Sequence, residues 1–98
     1  MSKVEKRSFE RIPNRDLPNT FKSLLIDIGK RKNLNAETVD VSTTGVGVTL
    51  SLSPKLLKEE DRIVLHSSDH RYEFLGQIVN VQKLRKDLYR LGVVLKYS

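Results

Sequence analysis

Two short motifs hold the side chains of this chain that are best suited to binding a polar ligand. Arg7 and Arg11 are spaced as RxxxR, and Asp40, Ser42 and Gly45 follow as DxSxxG. An arginine keeps its charge at physiological pH and donates two parallel hydrogen bonds to a phosphate. An ionised aspartate only accepts, so it suits the N–H groups of a ligand. RxxxR arises easily by chance in a chain with 18 Lys and Arg, whereas DxSxxG is rarer and can also be an Asx-type turn.

The distribution of charge points to the N-terminal region. Residues 1–32 contain nine Lys or Arg and four Asp or Glu, whereas residues 33–98 contain nine and eight. Most of the net charge of +6 therefore belongs to the first third of the chain. Two interpretations stay open, namely a solvated basic tail and an arm that binds an anion.

The elements that would position these motifs are short strands. Patterns of β-branched and alternating apolar residues predict strands from Thr20 to Ile28 and over residues 36–42, 46–52, 61–67, 71–83 and 88–97. We expect a hairpin loop over residues 29–35, a turn from Ser42 to Gly45, and a helical turn from Pro54 to Lys58. In the fifth strand the alternation shifts phase from Val79 to Val81, and with Gly76 in the same run this predicts a bulge or sharp coil. Gly47 is interpreted as strand packing. Six strands and almost no helical periodicity predict an all-β, six-stranded antiparallel barrel or closed roll.

Chain length predicts one domain. The 98 residues are enough for a single core. Residues 1–18, with Pro13 and Pro18, are predicted to form a basic N-terminal arm that carries RxxxR, and residues 19–98 to form the barrel.

The segment KRSFERIP, followed by DVSTTGVGV, resembles the paired signature of PilZ domains. GQIVNV and YRLGVVL resemble the glycine-containing strand and the closing strand of that family, so the resemblance covers nearly the whole chain. It implies a PilZ-type β-barrel with a flexible basic arm that closes over cyclic di-GMP. The protein would then be a receptor in bacterial second-messenger signalling, with outputs that range in the family over motility, polysaccharide secretion, pili and biofilm formation.

The resemblance also implies roles for individual residues. The two arginines would bind phosphate or guanine O6 and N7, Asp40 would accept from guanine N1–H and N2–H₂, Ser42 would bind the base or a phosphate, and Gly45 would let the backbone approach the ligand. A basic residue before RxxxR goes in the family with a second bound ligand, which Lys6 would support. The predicted cyclic di-GMP-binding residues are Lys6, Arg7, Arg11, Asp40, Ser42 and Gly45.

Other chemistries find less support. The sequence has no cysteine, and the segment with His66, Asp69 and His70 is predicted to be strand and turn, where i and i+4 ligands do not share a face. We therefore expect no metal site, no catalytic residues, no cofactor and no enzyme activity.

Two alternatives stay open, namely a small basic barrel that binds single-stranded nucleic acid and a PilZ-like adaptor that binds only protein. An aromatic content of 6% argues against nucleic acid, and the retained signature argues against the adaptor. The charged N-terminus and the lack of about 18 consecutive apolar residues predict a cytoplasmic protein without membrane insertion. We expect an unknown downstream protein partner and a monomer or weak homodimer.

Overall fold

The computed structural model of the protein describes residues 11–53 and 62–96. The elements in chain order are strand β1, a 3-10 turn, a single helical turn α1 and strands β2 to β7. Their bounds are β1 Ile12–Pro13, the 3-10 turn Asn14–Asp16, α1 Asn19–Lys22, β2 Ser23–Ile28, β3 Arg31–Val41, β4 Gly45–Ser51, β5 Arg62–Ser67, β6 Glu73–Arg85 and β7 Leu88–Lys96.

Six antiparallel strands close into a barrel. The sheet runs in the order β3, β2, β5, β6, β7 and β4, and an additional pairing of β3 with β4 joins its two edges. The two-residue strand β1 pairs with the end of β3. The predicted six-stranded antiparallel barrel is therefore confirmed, and closure removes the exposed sheet edges.

Alternation along the strands separates the interior from the outer surface. In β4 the predicted inward residues are all buried, namely Val46, Val48, Leu50 and, just after the strand, Leu52. They pack with inward residues of the other strands, including Ile26, Leu65, Ile78 and Leu91, each 1% exposed or less. Because successive side chains point to opposite faces, the residues between these positions lie on the outside of the barrel.

Two predicted boundaries near the start of the barrel are wrong. Residues 20–22 belong to helical turn α1, in which the Phe21 amide donates to the Pro18 carbonyl at 2.9 Å, so the strand begins at Ser23. The predicted loop over residues 29–35 is a tight turn, and β3 already begins at Arg31. Gly29 makes that turn possible with a φ of +57°, and Asn33 also has a positive φ, beside a register shift in β2 and β3.

The bulge predicted in the strand that contains Gly76 is confirmed, and it lies where the alternation shifts phase rather than at the glycine. Gly76 pairs regularly with Ile63, and the register of β6 against β7 shifts at Val79. A methyl group at Gly76 would come within 2.6 Å of Val93 Cγ1. Close packing in the core therefore explains this glycine. The predicted helical turn from Pro54 to Lys58 lies outside the described residues.

Asn14, in the 3-10 turn after β1, bonds this segment to the barrel through its side chain. Its side-chain amide donates to the carbonyl oxygens of Lys22 at 2.9 Å and Thr38 at 2.8 Å. Together with the pairing of β1 with β3, these bonds hold residues from Ile12 onward against the barrel. The predicted division into an arm of residues 1–18 and a barrel of residues 19–98 stays a prediction.

Candidate functional site

The two motifs meet on the outer surface of the barrel. Arg11 directly precedes β1, and Pro13 of β1 pairs with Asp40 of β3. This pairing brings the Arg11 Nη2 atom to 2.7 Å from Asp40 Oδ1, across 29 positions of sequence. The Arg11 side chain is 45% exposed and that of Asp40 is 19% exposed. A ligand in solution can therefore reach both groups.

Within residues 11–53 and 62–96, the Asp40 carboxylate uses little of its hydrogen-bonding capacity. Its Oδ1 atom accepts from Arg11, and Oδ2 accepts no hydrogen bond from any residue in the described part of the chain. An ionised carboxylate can accept about four hydrogen bonds. The residues that the structure describes therefore leave most of this acceptor capacity unused.

Gly47 leaves the space in which the Asp40 carboxylate lies. The two residues pair across β3 and β4, and a methyl group at Gly47 would be 2.9 Å from Asp40 Oδ1 and 3.9 Å from Arg11 Nη2. Interpreting Gly47 as strand packing missed this contact. The signal in the sequence is the alternation of β4, which puts Gly47 on the outer face, but its neighbour there depends on strand register.

Ser42 shapes the turn that follows Asp40. Its hydroxyl oxygen accepts from the amides of Gly45 at 3.2 Å and Thr44 at 3.3 Å, and its own amide donates to the Gly45 carbonyl at 2.8 Å. The residue is 7% exposed. These bonds fix the turn between β3 and β4. A contact between Ser42 and a ligand stays a prediction.

Gly45 lies where two backbones come close. A methyl group there would be 2.7 Å from the carbonyl oxygen of Val93 on β7. Strand packing is thus sufficient to require glycine at this position, and its predicted role in ligand approach stays a prediction. The other two predicted binding residues, Lys6 and Arg7, lie outside the described residues.

A second polar cluster lies where β2 meets β5. Asp27 accepts from the Asn33 amide at 2.8 Å through Oδ1, and its Oδ2 is 3.0 Å from His66 Nε2. The His66 bond, followed by the Asn33 bond, lowers the pKa of Asp27 below its ordinary value. Both carboxylate oxygens are therefore engaged in holding strands together.

His66, Asp69 and His70 form the segment for which the sequence predicts no metal site. Asp69 accepts from the Ser67 hydroxyl at 2.7 Å and the Arg71 amide at 3.1 Å, and these bonds lower its pKa. The two histidine rings are 5.6 Å apart. Among residues 11–53 and 62–96, no group of three or more metal-ligating side chains is gathered. Within the same ranges, no helix is long and apolar enough to cross a bilayer.

The fold and the Arg11–Asp40 pair together define a class of protein: a small antiparallel β-barrel whose candidate ligand site lies on its outer surface. The chain belongs to the PilZ domain family, since a family model described as PilZ domain matches residues 5–97. The family predicted from the two motifs is thereby confirmed. The PilZ domain is a known cyclic di-GMP-binding domain, and it is a receptor domain rather than a known family of enzymes. No curated protein matches the chain.

Proposed function

We propose that this protein is a cyclic di-GMP receptor that binds the dinucleotide on the outer surface of its barrel. The observation that carries the proposal is the contact between Arg11 and Asp40, which joins the RxxxR and DxSxxG motifs at an accessible place. The residues that bind the ligand are Lys6, Arg7, Arg11, Asp40, Ser42 and Gly45. The domain acts by binding and carries out no reaction.

The chemistry of guanine supports this assignment. Guanine presents O6 and N7 as acceptors on one edge and N1–H and N2–H₂ as donors on another. Arg11 can donate to the acceptors or to a phosphate, and the Asp40 carboxylate can accept from the donors. Adenine lacks that pair of donors, so Asp40 selects guanine.

Binding requires the Arg11–Asp40 ion pair to open or to share its hydrogen bonds with the ligand. An exposed ion pair contributes about 0–1 kcal/mol, whereas a hydrogen bond to a charged group contributes about 1.5–3 kcal/mol. Two or more such bonds to a guanine or phosphate outweigh the loss of the pair. Until ligand arrives, the pair holds both side chains near their binding positions.

The output follows from a change in the surface of the protein. When cyclic di-GMP binds, the arm with Arg7 closes over it and presents a new surface to a downstream protein partner in the cytoplasm. The protein does this as a monomer or weak homodimer, and the partner decides whether motility, biofilm formation or another output responds. A second ligand, if bound, is held through Lys6.

Isothermal titration calorimetry of the full chain tests the proposal. We expect saturable heat with cyclic di-GMP and none with cyclic di-AMP, since adenine lacks the donors that Asp40 recognises. A single-stranded oligothymidine serves as the comparison for nucleic acid. Absence of heat with cyclic di-GMP would contradict the proposal, and salt-sensitive binding of the oligonucleotide alone would favour the nucleic-acid alternative.

The placement of aromatic side chains supports the same choice. Binding of single strands relies on bases that stack on exposed aromatic rings. The Phe21 ring lies near those of Tyr72 and Phe74, at centroid distances of 5.4 and 6.3 Å respectively. Phe21 belongs to α1 and Phe74 is partly buried against the core. Tyr72 alone of the three is exposed, at 50%, so this cluster offers a single exposed ring for a base to stack on.

A further inference from the structure

An open groove lies on the side of the barrel opposite the candidate site. In the closed order β3, β2, β5, β6, β7 and β4, strand β5 is three strands away from β4 in either direction, so the two strands lie on opposite sides. Outward residues form one paired row across this far side, namely Asp27 of β2, Val64 of β5, Leu75 of β6 and Lys96 of β7. The row lines a groove of about 540 Å³, which we call the β5 groove.

The floor of the β5 groove is apolar and open to solvent. Leu75 is 52% exposed, and its partner across the strands, Val64, is partly exposed beside it. A single exposed leucine is common on protein surfaces, but two neighbouring apolar side chains in a concave site are more typical of a contact surface. The groove can therefore receive an apolar side chain from outside.

Three cations surround this floor. They are Lys32 of β3, Arg62 of β5 and Lys96 of β7. All three are exposed, and none forms an ion pair with any residue in the ranges 11–53 and 62–96. The carboxylate of the lining, Asp27, already has a partner at each oxygen. The described lining therefore keeps an excess of positive charge around an apolar floor.

This combination of charge and apolar surface favours one kind of occupant. An acidic protein segment brings carboxylates to the cations and one apolar side chain to the floor, which is the usual division between the rim and the centre of an interface. Single-stranded nucleic acid relies on aromatic rings for stacking, and no aromatic residue lines the groove within the described part of the chain. A symmetric pairing of two copies through this face would bring the same cations together.

We propose that the β5 groove docks the downstream protein partner through an acidic segment of that partner. The apolar side chain of the segment packs on Leu75, and its carboxylates lie beside the three cations. This inference rests on the proposed function, because a receptor without enzyme activity passes its signal through a partner. The groove is separate from the surface that the closing arm presents, so ligand and partner are bound on opposite sides of the barrel.

Photo-cross-linking of the full chain, in the cells that produce it, tests the docking surface. A benzophenone amino acid replaces Leu75 in one protein and Leu84 in a control. Both leucines belong to β6 and are exposed, at 52% and 46%, but roughly 30 Å of strand separates them. We expect position 75 to cross-link a partner at a peptide that has several Asp or Glu residues around an apolar one. Position 84 should not cross-link that partner.

Charge reversal shows whether the cations hold the partner. Arg62→Glu and Lys96→Glu should each lower the yield from position 75 roughly fivefold or more, because a like charge then faces the acidic segment. Arg71→Glu is the matched control, since Arg71 is an exposed cation between β5 and β6 that does not line the groove. It should leave the yield unchanged. Thermal melts show whether each variant is folded.

A synthetic copy of the cross-linked peptide allows the same comparison with purified protein. Calorimetry should show that this peptide binds the unaltered chain and binds the Arg62→Glu protein on the order of tenfold more weakly or less well still. Cyclic di-GMP should bind the Arg62→Glu protein as it binds the unaltered chain, because the groove and the candidate site lie on opposite sides.

Four results would overturn the inference. They are no cross-link from position 75, a cross-link to this chain itself, the same cross-link from positions 75 and 84, and yields that Arg62→Glu and Arg71→Glu change equally. If the unaltered chain bound no cyclic di-GMP, the proposed function would fail, whereas the cross-links would still locate the docking surface.

Discussion

Asp40 and Asp27 each join two segments of the barrel through a charged contact, but their carboxylates differ in the number of partners. Asp27 uses both oxygens, one for the Asn33 amide and one for His66. Asp40 uses one oxygen, for Arg11, within the described residues. Among these residues, Asp27 therefore has a partner at each oxygen, whereas Asp40 has a partner at one oxygen only.

The comparison shows how a structural aspartate differs from a binding one in the same small barrel. Both side chains are nearly equally exposed, at 16% for Asp27 and 19% for Asp40, so accessibility does not distinguish them. The oxygen of Asp40 that has no partner among the described residues does distinguish them, because a carboxylate oxygen that already has a partner gains less from a ligand. The glycines near the two aspartates also have different roles. Gly47 makes room for Asp40, and Gly29 supplies a turn near Asp27.

The largest difference is expected from removing each aspartate in turn. Asp40→Ala should weaken cyclic di-GMP binding on the order of a hundredfold or more, since it removes the acceptor for two guanine donors. Asp27→Ala should leave binding unchanged. Calorimetry measures both affinities, and thermal melts report any loss of turn stability in the Asp40 variant. Similar affinities of the two variants for cyclic di-GMP would contradict the distinction between a binding Asp40 and a structural Asp27.

The arginine partner should show a smaller effect. Arg11→Ala should weaken binding on the order of ten- to a hundredfold, because it removes charge-assisted bonds to the ligand but leaves Asp40 in place. Lys32→Ala is the matched control, since Lys32 is an exposed cation of β3 on the side of Asp27. The affinity of the Lys32→Ala protein for cyclic di-GMP, measured by the same calorimetry, should equal that of the unaltered chain. A weaker Lys32 variant would indicate a general charge effect.

The two glycines should separate binding from stability. Gly47→Ala places a methyl group against the end of the Asp40 side chain, which can move, so binding should weaken roughly tenfold with little change in melting temperature. Gly29→Ala should cost about 1–2 kcal/mol of stability, because alanine is strained at a φ of +57°. Binding by the folded Gly29 variant should be normal. Denaturant unfolding measures the stability of both variants, and calorimetry measures their binding. Lost stability in the Gly47 variant together with lost binding in the Gly29 variant would contradict these roles.

The smallest effect concerns pH. The folded-state pKa of Asp27 is lowered, so the stability that it contributes is complete above its unfolded-state pKa of about 3.9 and is lost as the pH falls through the folded-state pKa. Asp27→Asn should therefore reduce stability by about 1 kcal/mol or less at neutral pH, and the difference should vanish in acid. Urea unfolding of both proteins at several pH values measures it. A difference that grew toward low pH would have the wrong sign.

The sequence predicted the closed barrel well because its strands alternate clearly. The sequence predicted the start of β3 poorly, since the mostly polar residues 31–35 are typical of a loop. They form a strand in which Asn33 has a positive φ and the pairing with β2 shifts register. It also placed Thr20 in a strand, although Pro18 allows a helical turn to form first.

For the site, the two motifs could be recognised, but their contact partners could not. Asp40 pairs with Gly47 because β3 has a bulge after Thr38, and a shift of one residue would turn its side chain to the other face. The bulge after Ile78 decides in the same way that the side chain of Asn80 faces outward. Such registers depend on tertiary packing rather than on local sequence, so the contact of Gly47 with Asp40 emerged only from the structure.

The most direct test of the account is an amide chemical-shift titration of the full, ¹⁵N-labelled chain with cyclic di-GMP. We predict large shifts for Asp40 and for the glycines at positions 47 and 92, and none for Asn33, whose amide is bonded to Asp27. This pattern would locate the ligand on the outer surface of the barrel beside Asp40. Shifts centred on Asn33 and His66, or no shifts at saturating ligand, would contradict the claim that Asp40 is the binding aspartate of this barrel.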